Sequence, residues 1–262
     1  MADRYLAAAL FGLIVAVAGF MARFLTRSGA MATYLLALII YGVGGWQWAV
    51  PIVAFFVLSS LLSKYGRSRK KAFDQVFEKS STRDWGQVVA NGGVAGLVAI
   101  LSGLYPLYDF YPIYLGALAA VTADTWGTEI GVLTKGRTIS VRSLKPVEPG
   151  TSGGISEYGT VGGAIGAAVV ALSGYPWYSE LRTTLIVIVG GVAGSLVDSL
   201  LGATVQAQYK CEVCGKTMER TMHCEHTTKL YRGMRWIGND VVNGVCALVG
   251  AVVAWGLMLV QM

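Results

Sequence analysis

Long apolar stretches rich in Gly alternate with short polar segments along the chain. They lie at residues 5–22, 30–45, 48–62, 87–104, 112–133, 158–175, 183–205 and 237–260. A transmembrane α-helix needs about 20 mainly apolar residues, whereas the strands of a membrane barrel alternate apolar and polar residues over about ten positions. The pattern therefore predicts an all-α, polytopic membrane protein, with residues 1–262 forming a single membrane domain of about eight transmembrane helices.

The composition agrees with a membrane protein. Of the 262 residues, 54% are hydrophobic and only 14% are charged, and the mean hydropathy is +0.56. Soluble domains carry about 25% charged residues, so this balance excludes a disordered chain and disfavours a soluble globule.

The formal net charge of +6 hides an uneven distribution of basic residues. Of the 21 Lys and Arg residues, all but Arg4 and Arg182 fall in the loops that follow odd-numbered predicted helices. The positive-inside rule places these loops in the cytoplasm and both chain termini outside. The basic residues Lys64, Arg67, Arg69, Lys70 and Lys71 are accordingly interpreted as a topology anchor or an anionic-lipid contact.

Two pairs of predicted helices carry related polar residues at similar depths. Asn91 aligns with Asn243 in similar Gly-containing segments, and Asp124 aligns with Asp198. This pattern predicts an internal duplication, although Gly-rich membrane helices also resemble one another through composition alone.

Several carboxylate and amide residues lie within or at the ends of predicted membrane helices. A charged side chain at the centre of a membrane helix costs about 2.5–3.5 kcal/mol, so such residues usually face a polar cavity. Glu129 lies about 140° around the helix from Asp124, so both line one cavity only if the helix is irregular or the cavity is wide. An ion or proton pathway would use the same residue types. The predicted set is Asn91, Asp124, Thr128, Glu129, Asp198, Asn239, Asp240 and Asn243.

Oxygen ligands without His are typical of Mg²⁺ sites, and the loop after Asp124 supplies the opposite charge. A Gly-rich turn before a helix presents N–H groups to phosphate, and nearby basic side chains neutralise its charge. The residues therefore predict a site for magnesium and a nucleoside phosphate. The predicted phosphate-binding residues are Lys135, Arg137, Lys145, Gly150, Thr151, Ser152, Gly153 and Gly154.

Cysteines are concentrated in residues 206–235, the last predicted cytoplasmic loop. Cys211 and Cys214 form a CxxC pair, and His223, Cys224 and His226 follow. This spacing is typical of a structural zinc site, and four of the five residues would bind the ion. The sequence does not choose between His223 and His226, and a reduced thiol pair without metal is the alternative.

Four segments together resemble the DUF92, or TMEM19-like, family of multispanning membrane proteins, which includes the plant phytyl-phosphate kinase. They are ADTWGTEIG at 123–131, PGTSGGIS at 149–156, DSLLGAT at 198–204 and NDVVN at 239–243. More distantly, the chain is similar to dolichol and phytol kinases and to CTP-using cytidylyltransferases. The Cys-rich loop is familiar from prokaryotic members of the DUF92 family, so the resemblance implies a prokaryotic cell membrane and a zinc ion without a catalytic role.

The resemblance implies a kinase that transfers a phosphoryl group from a nucleoside triphosphate, with CTP as one candidate, to a phytyl, geranylgeranyl or polyprenyl monophosphate. The four acidic residues of the predicted cavity would hold Mg²⁺ or the nucleotide, and the Asn residues would orient substrate oxygens. An ion-coupled transporter or lipid scramblase and a cytidylyltransferase remain alternatives. The implied partners are a membrane lipid and a nucleotide; no nucleic acid is expected, and a homodimer stays open.

Overall fold

Eight α-helices form the framework of the protein among the residues that the structure, a computed structural model, describes: 2–65, 82–134 and 136–260. Each coincides with one of the predicted apolar stretches, with ends that differ by a few residues. The helices are α1 (Ala2–Met21), α2 (Arg27–Gly44), α3 (Trp46–Tyr65), α4 (Trp85–Leu104), α5 (Tyr111–Leu133), α6 (Glu157–Tyr178), α7 (Leu181–Thr204) and α8 (Asn239–Leu259).

The predicted all-helical membrane class is confirmed. Seven of the eight helices in the described ranges are long and apolar enough to cross a membrane. The other is α5, which is 23 residues long and contains Asp124 and Glu129. Its first half is buried, and it packs against α3, α4, α6, α7 and α8. The half of α5 that precedes its carboxylates is therefore enclosed by other helices, and Asp124 follows directly after the buried residues.

Small residues allow the helices around α5 to approach closely, as is usual in membrane bundles. A Cβ atom added to Gly250 of α8 would lie 2.4 Å from the carbonyl oxygen of Gly116 in α5. A Cβ added to Gly163 of α6 would lie 2.8 Å from the carbonyl oxygen of Ala123. Because the obstructing atoms belong to the backbone, a side-chain rotation cannot relieve either contact.

We expect Gly250→Ala to lower the unfolding temperature in detergent, because the added methyl group must push α8 away from α5. Overpacking of this kind costs about 1–3 kcal/mol. Gly256→Ala is the matched control in the same helix, since a Cβ at Gly256 meets no described atom within 4 Å. This control should unfold at the wild-type temperature or slightly above it, because Ala is the better helix former. Equal unfolding temperatures for the two variants would contradict the packing described.

Two segments outside the helices form small β-structures. Strands β1 (Thr138–Ser140) and β2 (Gly154–Ser156) pair antiparallel between α5 and α6. Between α7 and α8, a three-stranded sheet has the order β4-β3-β7, and a separate hairpin contains β5 and β6. These strands are β3 (Gln208–Lys210), β4 (Thr217–Met218), β5 (Met222–His223), β6 (His226–Thr227) and β7 (Lys229–Arg232).

Candidate functional site

A polar cavity of about 280 Å³ lies where α3, α5 and α7 end and α4, α6 and α8 begin. Both β-containing segments contribute to its wall. The cavity brings together most of the residues predicted from the sequence. Those that line it are Asn91, Asp124, Thr128, Glu129, Gly150, Thr151, Ser152, Gly153, Gly154, Asp198, Asn239 and Asn243.

Asp124 of α5 and Asp198 of α7 face each other in this cavity. Their carboxyl groups are within hydrogen-bonding distance. The Oδ2 atom of Asp198 is buried and accepts no hydrogen bond from any described residue. Two carboxylates so close together repel each other unless they share a proton or a cation lies beside them. The oxygen-only donor set and the buried Oδ2 atom both fit Mg²⁺.

Glu129 reaches the same cavity from one helical turn further along α5. The Ser63 hydroxyl at the end of α3 donates a hydrogen bond of 2.6 Å to its Oε1 atom. Helix α5 has no break between Asp124 and Glu129, so the two residues lie on different sides of the helix. Both line the cavity, so the cavity must be wide. Of the two geometries that the sequence allows, the structure therefore has the wide cavity.

The Gly-rich segment forms another part of the cavity wall. Gly150 and Gly153 have φ values of 81° and 76°, a region that favours glycine. A Cβ at Gly153 would lie 2.4 Å from the Cβ of Ala203, so the segment lies directly on the end of α7. No described residue accepts a hydrogen bond from the backbone N–H groups of Ser152 and Gly153.

Three predicted residues do not line the cavity, and a fourth lies outside the described residues. Among the described residues, Arg137, Lys145 and Asp240 are not part of the cavity lining. Asp240 follows the lining residue Asn239 in the first turn of α8. Lys135 lies outside the described residues.

Arg83 is a cavity residue that the sequence analysis assigned only to membrane topology. Its guanidinium carbon lies 4.9 Å from the centre of the Phe55 ring and 5.8 Å from that of Phe56. Burial lowers the pKa of Arg83 to about 10, so the side chain still carries its charge at neutral pH. The cavity therefore includes a cation on the side of α3 and α4.

Glu219 is a second lining residue that sequence reasoning missed, and it comes from the Cys-rich loop. The Gln206 Nε2 atom donates a hydrogen bond of 2.9 Å to Glu219 Oε1. The Oε1 atom of the same Gln206 lies 3.0 Å from the Ser152 hydroxyl, which also lies 3.1 Å from the Gly202 carbonyl oxygen. A chain of hydrogen bonds thus joins the Cys-rich loop to the Gly-rich segment.

The Cys-rich loop forms a cluster of potential metal ligands. The ligand atoms of Cys211, Cys214, His223 and Cys224 all lie within 4.8 Å of one another. His223 Nδ1 is 3.5 Å from Cys214 Sγ and 3.2 Å from Cys224 Sγ. Tetrahedral zinc with Zn–S distances of about 2.3 Å and Zn–N distances of about 2.0 Å requires separations of this order. His226 is outside this cluster, and its Nδ1 atom lies 2.7 Å from the carbonyl oxygen of Cys224.

Two tight turns present these ligands. Gly215, with φ of 73°, follows Cys214 and donates a hydrogen bond of 2.9 Å to the carbonyl oxygen of Cys211. Cys224 and Glu225 both have positive φ and form the two-residue turn between β5 and β6.

The protonation of the thiols also favours a cation at this cluster. Hydrogen bonds from the Cys214 backbone and from His223 lower the pKa of Cys211 to about 6, which favours the thiolate that metals bind. Burial and hydrogen bonds with the sulfur atoms of Cys214 and Cys211 raise the pKa of Cys224 to about 11. When thiols lie this close together, a negative charge on one raises the pKa of the next, unless a cation compensates that charge.

Comparison with known families decides the family of the chain. The model of the integral membrane protein family DUF92 matches residues 10–251. The chain is a DUF92 membrane protein. An uncharacterized membrane protein of Methanocaldococcus jannaschii is 31% identical to it over 181 residues, which are 69% of this chain and 74% of that protein.

Two plant proteins are also similar to this DUF92 protein. Protein PGR of Arabidopsis thaliana is 26% identical over 94% of this chain and 93% of its own length. The chloroplastic protein VTE6 of Arabidopsis thaliana is 24% identical over 88% of this chain and 64% of its own length. No solved structure matches the chain significantly.

Proposed function

We propose that this DUF92 protein is a Mg²⁺-dependent kinase that transfers a phosphoryl group from a nucleoside triphosphate to an isoprenoid monophosphate. The observation that carries the proposal is the Asp124–Asp198 pair, which lines one cavity with a Gly-rich segment whose Ser152 and Gly153 N–H groups have no described acceptor. Paired carboxylates supply a divalent-cation site, and the segment supplies donors for phosphate oxygens. The family resemblance to a plant phytyl-phosphate kinase supports the same class of substrate.

In this proposal the carboxylates and the Gly-rich segment bind different parts of the substrate complex. Asp124 and Asp198 hold the cation, and the N–H groups of Ser152 and Gly153 hold phosphate oxygens of the nucleotide. A Mg²⁺ ion held there would neutralise negative charge on the phosphates. Glu129, which accepts a hydrogen bond from Ser63, would add negative charge for the cation, while Asn91 and Asn243 would orient the acceptor phosphate.

The reaction needs no strong general base. An oxygen of the lipid phosphate attacks the terminal phosphorus of the nucleotide, the bond from that phosphorus to the bridging oxygen breaks, and the nucleoside diphosphate leaves. The acceptor oxygen is already deprotonated near neutral pH, so positioning and charge neutralisation provide most of the rate enhancement. CTP remains one candidate among the nucleotides.

We also propose that Cys211, Cys214, His223 and Cys224 bind one structural Zn²⁺. Four protein ligands close the coordination sphere, which leaves no position for a reacting water. The ion would stabilise the loop that carries Glu219 to the cavity. On the charge distribution, both this loop and the cavity would face the cytoplasm, where nucleotides are available.

The test is a product analysis with purified protein in lipid nanodiscs. Geranylgeranyl monophosphate, Mg²⁺ and each of the four common nucleoside triphosphates should give geranylgeranyl diphosphate and an equal amount of nucleoside diphosphate. Release of pyrophosphate with a nucleotide-linked lipid would instead establish a cytidylyltransferase. Transport of ions or lipids without nucleotide turnover would establish a transporter or scramblase. No product from folded protein across this panel would overturn the kinase proposal.

A further inference from the structure

An apolar groove lies between α1, α2, α3 and α4 and adjoins the polar cavity. Its volume is about 50 Å³, and side chains such as Leu36, Ile52 and Phe55 line it. Arg83 and Asn91 line both the groove and the cavity. A molecule with an apolar part and an anionic part could therefore occupy both spaces at once, with the change in polarity at Arg83.

The backbone of Arg83 is fixed in this position. Its N–H group donates to the carbonyl oxygen of Phe24 at 2.9 Å, and its carbonyl oxygen accepts from the N–H group of Thr26 at 3.0 Å. A Cβ at Gly29 would lie only 2.2 Å from that carbonyl oxygen, so α2 packs directly on this segment. The position of Arg83 is thus determined by the α1–α2 connection and is suited to a binding role.

Among the residues that the structure describes, the guanidinium group has aromatic neighbours but no ion-pair partner. It lies over the rings of Phe55 and Phe56, and within residues 2–65, 82–134 and 136–260 no carboxylate forms an ion pair with it. Removing a cation from water without a counter-charge costs several kcal/mol. An anionic ligand at this position would recover part of that free energy.

We infer that Arg83 binds the phosphate of the lipid acceptor and that the first carbons of a single unbranched or isoprenoid tail lie in the groove of α1 to α4. This inference rests on the proposed kinase function. A space of 50 Å³ has room for about four water-sized groups, so the remaining tail extends into the bilayer. A lipid with two acyl chains next to its phosphate would have only one of them in this space, so we expect single-chain lipid phosphates to bind more tightly.

The inference is tested by lipid binding in the absence of nucleotide. A geranylgeranyl monophosphate with a diazirine near its first isoprene unit is crosslinked to the wild-type protein in nanodiscs, and the labelled residues are mapped by mass spectrometry. Crosslinks to groove residues of α1 to α4 are expected, and a diacyl phosphatidic acid should compete weakly. Inorganic phosphate should also compete weakly, which distinguishes a lipid site from a simple phosphate site.

Two substitutions sharpen this test. Arg83→Gln should weaken binding of the lipid monophosphate by about tenfold or more, because a charged hydrogen bond is lost, while Arg83→Lys should retain part of it. Val53→Phe narrows the groove and should also weaken binding. Val57→Phe is the matched control in the same helix, since Val57 is exposed and lines neither space.

The possible outcomes separate this inference from the kinase proposal. Crosslinks on other helices, or unchanged affinity in both Arg83→Gln and Val53→Phe, would overturn the inference even if the protein makes the lipid diphosphate. Lipid binding in the groove without diphosphate formation would overturn the kinase proposal and leave the lipid site in place. If Arg83→Gln does not fold, the crosslinks in the wild-type protein still show whether the lipid tail lies in the groove.

Discussion

Asp198→Asn is expected to reduce the proposed phosphoryl transfer by at least about 100-fold, because loss of a residue that would hold the metal directly exceeds the 10- to 100-fold effects of residues that only orient ligands. The substitution keeps the shape of the side chain but removes the charge that faces Asp124. The variant should remain folded, since repulsion between the two carboxylates is relieved when no cation is bound.

A second measurement separates a metal-binding role from a packing role. Ligands that bind only the folded state raise its stability, so Mg²⁺ should raise the unfolding temperature of the wild type and not that of Asp198→Asn. Asp109→Asn makes the same chemical change at an exposed position before α5 and serves as the control. If Asp198→Asn had wild-type activity and its unfolding temperature still rose with Mg²⁺, Asp198 would not be a metal-binding residue.

The second large effect is expected in the Cys-rich loop. Purified wild-type protein should contain one zinc per chain. Cys211→Ser should lose it, because the three ligands that remain bind zinc far more weakly than the full set of four. Structural zinc sites contribute about 10–16 kcal/mol to folding of the segments that bind them. Residues 206–235 of the variant should therefore exchange their amide hydrogens much faster, while the membrane helices keep their protection.

Matched variants identify the fourth ligand. His223→Ala should lose the metal, whereas His226→Ala should retain it, because only His223 lies within the cluster. Cys246→Ser should also retain zinc, since Cys246 is buried in α8. Metal content is measured by atomic emission spectroscopy. A zinc-free wild type, or loss of zinc only in His226→Ala, would contradict the proposed ligand set.

Apolar runs predict the helices well but mark their ends poorly. Helix α2 begins with Arg27 and Ser28, and Thr26 caps it by accepting a hydrogen bond from the Gly29 N–H group. Helix α4 begins two residues before the predicted stretch because Asp84 and Gln87 form a capping box. These polar first turns are part of the helix because of their hydrogen bonds, and a search for apolar residues therefore misses them.

The candidate site could be predicted where the sequence placed charge in an apolar setting. Asp124, Glu129 and Asp198 stand out for this reason, and the structure brings them to one cavity. Arg83 and Glu219 lie in connecting segments, where charged residues are common and no periodicity fixes the path of the chain. Only the pairing of Arg83 with Phe24 and Thr26, and the folding of the Cys-rich loop, bring them to the site. The internal duplication remains a prediction.

The hydrogen bonds from Glu219 through Gln206 to Ser152 have an evolutionary consequence. They make the Cys-rich loop a module whose metal ligands and cavity residue depend on the same local fold. Selection would then act on the module as a unit, so Glu219 and the four ligands should be gained or lost together across the family. A lineage that dropped the loop would also lose Gln206, so Ser152 would need another partner, and the Gly-rich segment is where a compensating substitution would arise.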